Sequence, residues 1–157
     1  MIGFSEGFHD AGLAVVHENK IIFAAHSERY SKKKHDKKLC GELAFYGNYL
    51  NPNADVVAFY EKQFPKRVRQ FFAGQKHWRR RRHLALRPTI SFPHHQSHAA
   101  AAFQTSCFEE AACVVVDSIG EWDCSSVWTA KMEDGKAVYK KVRSQAYPKS
   151  IGLWYSA

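Results

Sequence analysis

The stretch Ala112–Val142, ACVVVDSIGEWDCSSVWTAKMEDGKAVYKKV, decides the fold class. Ala112 to Val116 is short, apolar and β-branched, as a buried strand is. Asp117 to Asp123 is a polar loop containing Gly120, and Ser125 to Ala130 is strand-like. Glu133-Asp134-Gly135-Lys136 is a turn, and Ala137 to Val142 is a third strand. The chain opens with the same order: Ile2 to Phe4, a glycine-containing loop over Ser5 to Gly12, Leu13 to Val16, the turn Glu18-Asn19-Lys20, and Ile21 to Ala25. Loop and turn recur in the same sequence, so the pattern predicts one three-stranded meander used twice.

Between the two meanders the sequence predicts a helix from about Leu39 to Leu50, a strand from Asp55 to Tyr60, a basic segment, and a helix from about His94 to Phe108. Ala99, Ala100, Ala101 and Ala102 favour the last helix, because alanine has the best intrinsic propensity. Three strands, a helix, a strand and a helix form an α/β unit of the ribonuclease H type. After Val142 only 15 residues remain, too few for a further helix and strand pair. The expectation is one complete half over residues 1–110, with a basic insert near 61–88, followed by the truncated opening of a second half over 111–157.

Composition narrows the class. With 157 residues, 45% of them hydrophobic, the chain can bury a core and is too apolar to be disordered. No run approaches the ~18 apolar residues of a membrane span, and the opening MIGFSEGFHD lacks the order of a secretory signal. A cytoplasmic location is expected, with no membrane partner. Cys40, Cys107, Cys113 and Cys124 match no metal knuckle and are expected as reduced thiols.

The net charge of +8 is concentrated. Arg29 to Lys38 holds six basic residues against Asp36, and Lys62 to Arg87 holds ten against no acid, including Arg79, Arg80, Arg81 and Arg82. Beside Phe71, Phe72 and Trp78, such a run has the makings of a nucleic-acid binder. No nucleic-acid module accompanies it, and the alternative is a solvated surface insert.

The most specific chemical signal is His94-His95-Gln96-Ser97-His98. On a helix, His94 and His98 share one face and can grip one ion, while His95 points away. Neutral imidazoles suit zinc, iron or nickel. Two histidines four apart also arise by chance in a chain with nine. Asp117 sharpens the reading, because a carboxylate ending a buried strand is a usual metal ligand; the alternative is an aspartate capping its own loop. His9, in the corresponding loop of the first meander, can take a proton from a hydroxyl or contact phosphate. Arg29 and Lys34 can meet an anionic substrate or form a charged surface loop. Gly120 and Gly152 can let backbone N–H groups approach a phosphate, although no Walker A or GxGxxG pattern is present.

Taken together, HDAG (His9 to Gly12), SERYSKKKHD (Ser27 to Asp36), HHQSHAAAAF (His94 to Phe103) and VVVDSIGEWDCSS (Val114 to Ser126) resemble the N-terminal part of the NodU/CmcH family of O-carbamoyltransferases. The motifs occur in order over nearly the whole chain. The resemblance implies a Kae1-like domain of the actin/Hsp70 ATPase superfold, followed in the family by a YrdC-like domain that makes carbamoyl adenylate from carbamoyl phosphate and ATP. The Kae1-like domain then transfers the carbamoyl group to an acceptor hydroxyl. It also implies that His94, His98 and Asp117 bind a divalent metal, iron first among the candidates, that His9 is the general base, and that Arg29, Lys34 and Gly120 lie toward the nucleotide.

The family's further metal-binding aspartate and its adenylate-forming domain have no counterpart in these residues. The expected partners are therefore carbamoyl phosphate, ATP and a hydroxyl-bearing acceptor, together with a separate chain carrying the rest of the enzyme. Competing readings are a nucleic-acid module using the 62–87 segment and a Kae1/TsaD-type tRNA-modifying protein. The ERYSKKKHD and HHQSHAAAAF motifs favour carbamoyl transfer over the latter.

Overall fold

The computed structural model describes residues 1–50, 54–76 and 84–156. The Arg79–Arg82 run lies outside the described residues. Contacts divide the described chain into two units, one of residues 1–60 and 84–91, the other of residues 61–76 and 92–156.

The first unit contains β1 (Ile2–Ser5), β2 (Gly12–His17), β3 (Lys20–His26), α1 (Glu28–Ser31), α2 (Gly41–Leu50), β4 (Val57–Phe59) and β5 (Ile90–Ser91). Its five strands run in the order β3-β2-β1-β4-β5. The first three pair antiparallel, and β4 and β5 continue the sheet parallel to β1. A two-residue loop, Glu18-Asn19, joins β2 to β3, with φ of 48° and 60°; positive φ at both positions gives the turn whose twist matches the flanking strands. Alternation along β1 and β2 turns Ile2, Phe4, Leu13 and Val15 inward, where they meet Phe59, Leu39, Leu43 and Leu86. Each large apolar side chain buried there contributes roughly 1.5–3 kcal/mol relative to exposure. Glu6 is buried beside this core, and its charge is compensated by the N–H groups of Leu39 at 3.0 Å and Ala85 at 2.8 Å.

The second unit contains α3 (Gln63–Phe72), α4 (His94–Gln104), β6 (Glu110–Val116), β7 (Asp123–Glu133), β8 (Lys136–Ala146) and α5 (Ile151–Tyr155). Strands β6, β7 and β8 form an antiparallel sheet in chain order. Their second hairpin turns at Asp134-Gly135, with φ of 48° and 73°, the same two-residue solution as in the first meander. Ala99 and Phe103 of α4 pack on Cys113, Val115, Trp128 and Ala130. That packing draws α4 to the second sheet, so the chain does not divide at the expected residue 110. The helix also ends earlier than Phe108. Thr105 Oγ1 donates to the Ala101 carbonyl at 2.7 Å and Ser106 Oγ to the Phe103 carbonyl at 2.7 Å, satisfying the last turn without further helix.

Within the basic segment, α3 is an element the sequence reading left out. It hides its polar side, with Lys66, Arg69 and Gln70 buried and Phe64, Phe71 and Phe72 exposed. Lys66 pairs with the buried Glu61 carboxylate, so this part of the insert is not a wholly solvated surface. The four cysteines are free thiols. No helix among the described residues is long and apolar enough to cross a membrane. The architecture is mixed α/β, with one five-stranded mixed sheet and one three-stranded antiparallel sheet.

Candidate metal centre

Strand β6 ends at Val116, and Asp117 opens the loop that returns into β7. The loop is closed at its base by the Asp117 N–H on the Cys124 carbonyl at 2.9 Å and the Gly120 N–H on the Asp123 carbonyl at 2.8 Å. Helix α4 begins at His94, directly after Pro93, whose ψ of 138° is extended rather than helical. His94 and His98 then lie one turn apart on the same side.

The structure brings these three side chains together. Asp117 Oδ2 is 2.8 Å from His94 Nε2, and His98 Nε2 is 3.0 Å from the same His94 nitrogen. One ligand atom from each residue lies within 4.8 Å of the other two. The two imidazoles meet edge to face, at 82°. Hydrogen bonding alone satisfies this arrangement poorly. A ring nitrogen holds either a hydrogen or a lone pair, so His94 Nε2 cannot donate to an ionised carboxylate and also accept from His98. A cation removes the conflict, because all three atoms then act as lone-pair donors. Spacings of 2.8 and 3.0 Å about His94 Nε2 are compatible with ligand atoms each roughly 2.0–2.2 Å from one shared ion, so the residue types and their convergence suit a divalent metal.

The local electrostatics favour the same protonation state. The hydrogen bond with His94, aided by the Ser118 N–H on Asp117 Oδ1 at 2.6 Å, holds the Asp117 carboxyl down at about 2 against an opposing effect of burial. The aspartate thus does both things the sequence allowed, capping its own loop through one oxygen and meeting His94 through the other. Burial, and secondarily the neighbouring His94, pushes His98 below the ordinary imidazole range. An ionised carboxylate beside neutral imidazoles is the form that binds metal.

Three further residues aim the histidines, and none of them was singled out for this from sequence. Glu121 accepts the Lys62 N–H at 2.7 Å and, with both oxygens, the His94 N–H at 3.0 and 3.1 Å. It therefore places a negative charge at the start of α4, where free N–H groups and the helix dipole favour one. His95 is 1% exposed, and its Nδ1 lies 2.7 Å from Ser126 Oγ, which also accepts from Trp128 Nε1 at 2.7 Å. Anchoring His95 inward fixes the rotation of α4 and so turns His94 and His98 to Asp117. No local motif announces these partners, because they lie 27 to 59 residues away along the chain.

Gly120 belongs to this centre in a steric role. A Cβ there would lie 3.0 Å from His95 Cδ2 and 3.2 Å from His94 Cδ2, so any other residue would press on both rings. His9, Arg29 and Lys34 belong to the first unit. Arg29, on α1, and Lys34 are exposed, and His9 Nδ1 bonds Asp10 Oδ2 at 2.7 Å.

The fold and the site define a mixed α/β protein with a candidate two-histidine, one-aspartate metal centre. The chain belongs to the carbamoyltransferase N-terminus family, whose model matches residues 48–157, a span that includes all three candidate ligands. It is also similar along its whole length to an uncharacterized protein of Synechocystis sp., with 30% identity over 193 aligned residues. The chain spans 31% of the length of that relative.

Proposed function

We propose that the chain is the N-terminal portion of an O-carbamoyltransferase that moves a carbamoyl group from carbamoyl adenylate to an acceptor hydroxyl. Family membership supports the transfer chemistry. The observation that carries the site is the convergence of His94, His98 and Asp117 on one point, where one His94 nitrogen meets both other ligand atoms. In this reading those residues hold a divalent ion, iron first among the candidates. A bound ion supplies fixed positive charge to a phosphate oxygen. Glu121 and Ser126 keep α4 in register so that the ligands stay aligned. His9 accepts the proton of the acceptor hydroxyl, Asp10 holding its ring from behind. Arg29 and Lys34 are cations for the nucleotide phosphate. The meander repeated in both units supports a ribonuclease H-like arrangement of the actin/Hsp70 ATPase type.

Calorimetric titration of the purified chain with iron(II), cobalt(II) or zinc(II) tests the site. Wild type is expected to bind one ion, and His94→Ala and His98→Ala to lose at least about tenfold in affinity, ligand loss costing no less than loss of an outer-shell partner. Equal affinity in all three proteins would remove the site. The chain alone is expected to transfer little or no carbamoyl group, and robust turnover by it would contradict its reading as a portion of a larger enzyme.

A further inference from the structure

A second constellation sits in the first unit. Asp10, in the loop between β1 and β2, places its carboxylate between two imidazoles: Oδ2 is 2.7 Å from His9 Nδ1 and Oδ1 is 2.9 Å from His35 Nδ1. His35 is 25 residues away in sequence. The two loops are tied together by the Gly7 N–H on the Lys37 carbonyl and the Ala11 N–H on the Asp36 carbonyl, both 2.7 Å, and the His35 N–H rests on Glu28 Oε2 at 3.2 Å. Asp10 and His35 both occupy the left-handed region, with φ of 47° and 54°. Non-glycine residues hold that conformation at a cost of order 1–3 kcal/mol, which the surrounding contacts must sustain.

The hydrogen bonds from His35 and His9, in that order, hold the Asp10 carboxyl below its ordinary range. An ionised carboxylate can only accept, so both Nδ1 atoms must carry hydrogen. In each neutral ring the lone pair is then on Nε2, and both rings are exposed to solvent.

We propose that His9, Asp10 and His35 form a two-imidazole proton-accepting site, in which Asp10 is the positioning residue and His35 is a second base beside His9. The substrate class is an alcohol. Its O–H bond breaks and the proton goes to one Nε2. The oxygen's electron pair forms the bond to the carbamoyl carbon, the departing phosphate oxygen keeps the pair of the old C–O bond, and the imidazolium then gives its proton to water.

The proposal deepens the carbamoyl-transfer reading through His9 and is independent of the metal ligands. Nitrogen NMR of the imidazoles in the intact chain at about pH 8, where histidines are neutral, tests it. Wild type is expected to show His9 and His35 both protonated at Nδ1 and bare at Nε2. Asp10→Asn is expected to shift both rings toward the Nε2–H form. Nε2–H rings in wild type, which require no variant to detect, would overturn the proposal, as would rings unmoved by Asp10→Asn. Failure of metal binding with these signatures intact would instead count against the metal centre alone.

Discussion

Replacing Gly152 with alanine strikes the candidate metal centre from behind. A Cβ at this position, in α5, would lie 2.6 Å from the Asp117 carbonyl oxygen, 2.7 Å from its carbon and 2.8 Å from the Ser118 nitrogen. These are backbone atoms at the end of β6, and ordinary contact lies near 3.5–4.0 Å, so something must move by about 1 Å. Either Asp117 shifts or α5 lifts. Helix α5 buries no residue of its own, and its hold on the loop is Ser150, whose hydroxyl donates to the Ser118 carbonyl at 2.6 Å and the Asp117 carbonyl at 3.3 Å and accepts the Leu153 N–H at 3.1 Å. Lifting α5 loses its two bonds to the loop carbonyls at about 0.5–1.5 kcal/mol each, which puts the expected destabilisation at about 1–3 kcal/mol. Moving Asp117 instead opens its 2.8 Å approach to His94 and should weaken metal binding about tenfold, or about 1.4 kcal/mol. Urea denaturation and calorimetric metal titration of Gly152→Ala read the two routes separately. Gly41→Ala, where a new Cβ meets nothing within 4 Å, is the control. If Gly152→Ala matched wild type in both midpoint and affinity, the steric reasoning would be refuted.

Ser126→Ala removes the one oxygen shared by His95 and Trp128 in a buried setting. With each stranded group costing about 1–3 kcal/mol, we expect a loss of about 2–4 kcal/mol in chemical denaturation, and a loss under about 0.5 kcal/mol would show that the network does not hold α4. Asp117 titrates at about 2 in the fold against 3.8 as its reference. A depressed carboxylate stabilises the fold above the unfolded value, and that contribution, at most about 2 kcal/mol, is lost as pH falls from about 4 to about 2; Asp117→Asn should flatten this limb of an acid-unfolding curve. His95 and His98 are both lowered, by burial first, so the unfolded chain binds protons more readily and stability should already decline as pH drops through about 6.5. A stability that rises between pH 7 and pH 5 would contradict the burial of His95.

What could be read from the sequence was whatever local geometry dictates. Each meander announced itself through alternation and through a turn pair, Glu18-Asn19 and Asp134-Gly135, that takes positive φ at both positions. His94 and His98 were legible because helical periodicity alone puts residues four apart on one side. Helix α3 was not legible, since QFPKRVRQFF reads as surface: its inward side is charged, and only the pairing of Lys66 with Glu61 makes that burial tolerable. Gly152 gave no warning either, because its requirement comes from a carbonyl 35 residues earlier.

The candidate metal centre shows why a motif can locate a site without describing it. Residues 117–128 provide the carboxylate of Asp117, the bare Cα of Gly120 against both rings, the Glu121 oxygens on the His94 N–H, and the Ser126 hydroxyl on His95. All four act on the first turn and a half of α4. The segment that contributes a ligand therefore also aims the other two, so ligand identity and ligand alignment pass together through two short stretches of chain. A substitution at Glu121 or Ser126 consequently reaches the metal geometry through the helix backbone or through His95, and its effect on affinity should follow the displacement of His94 rather than any loss of donor atoms.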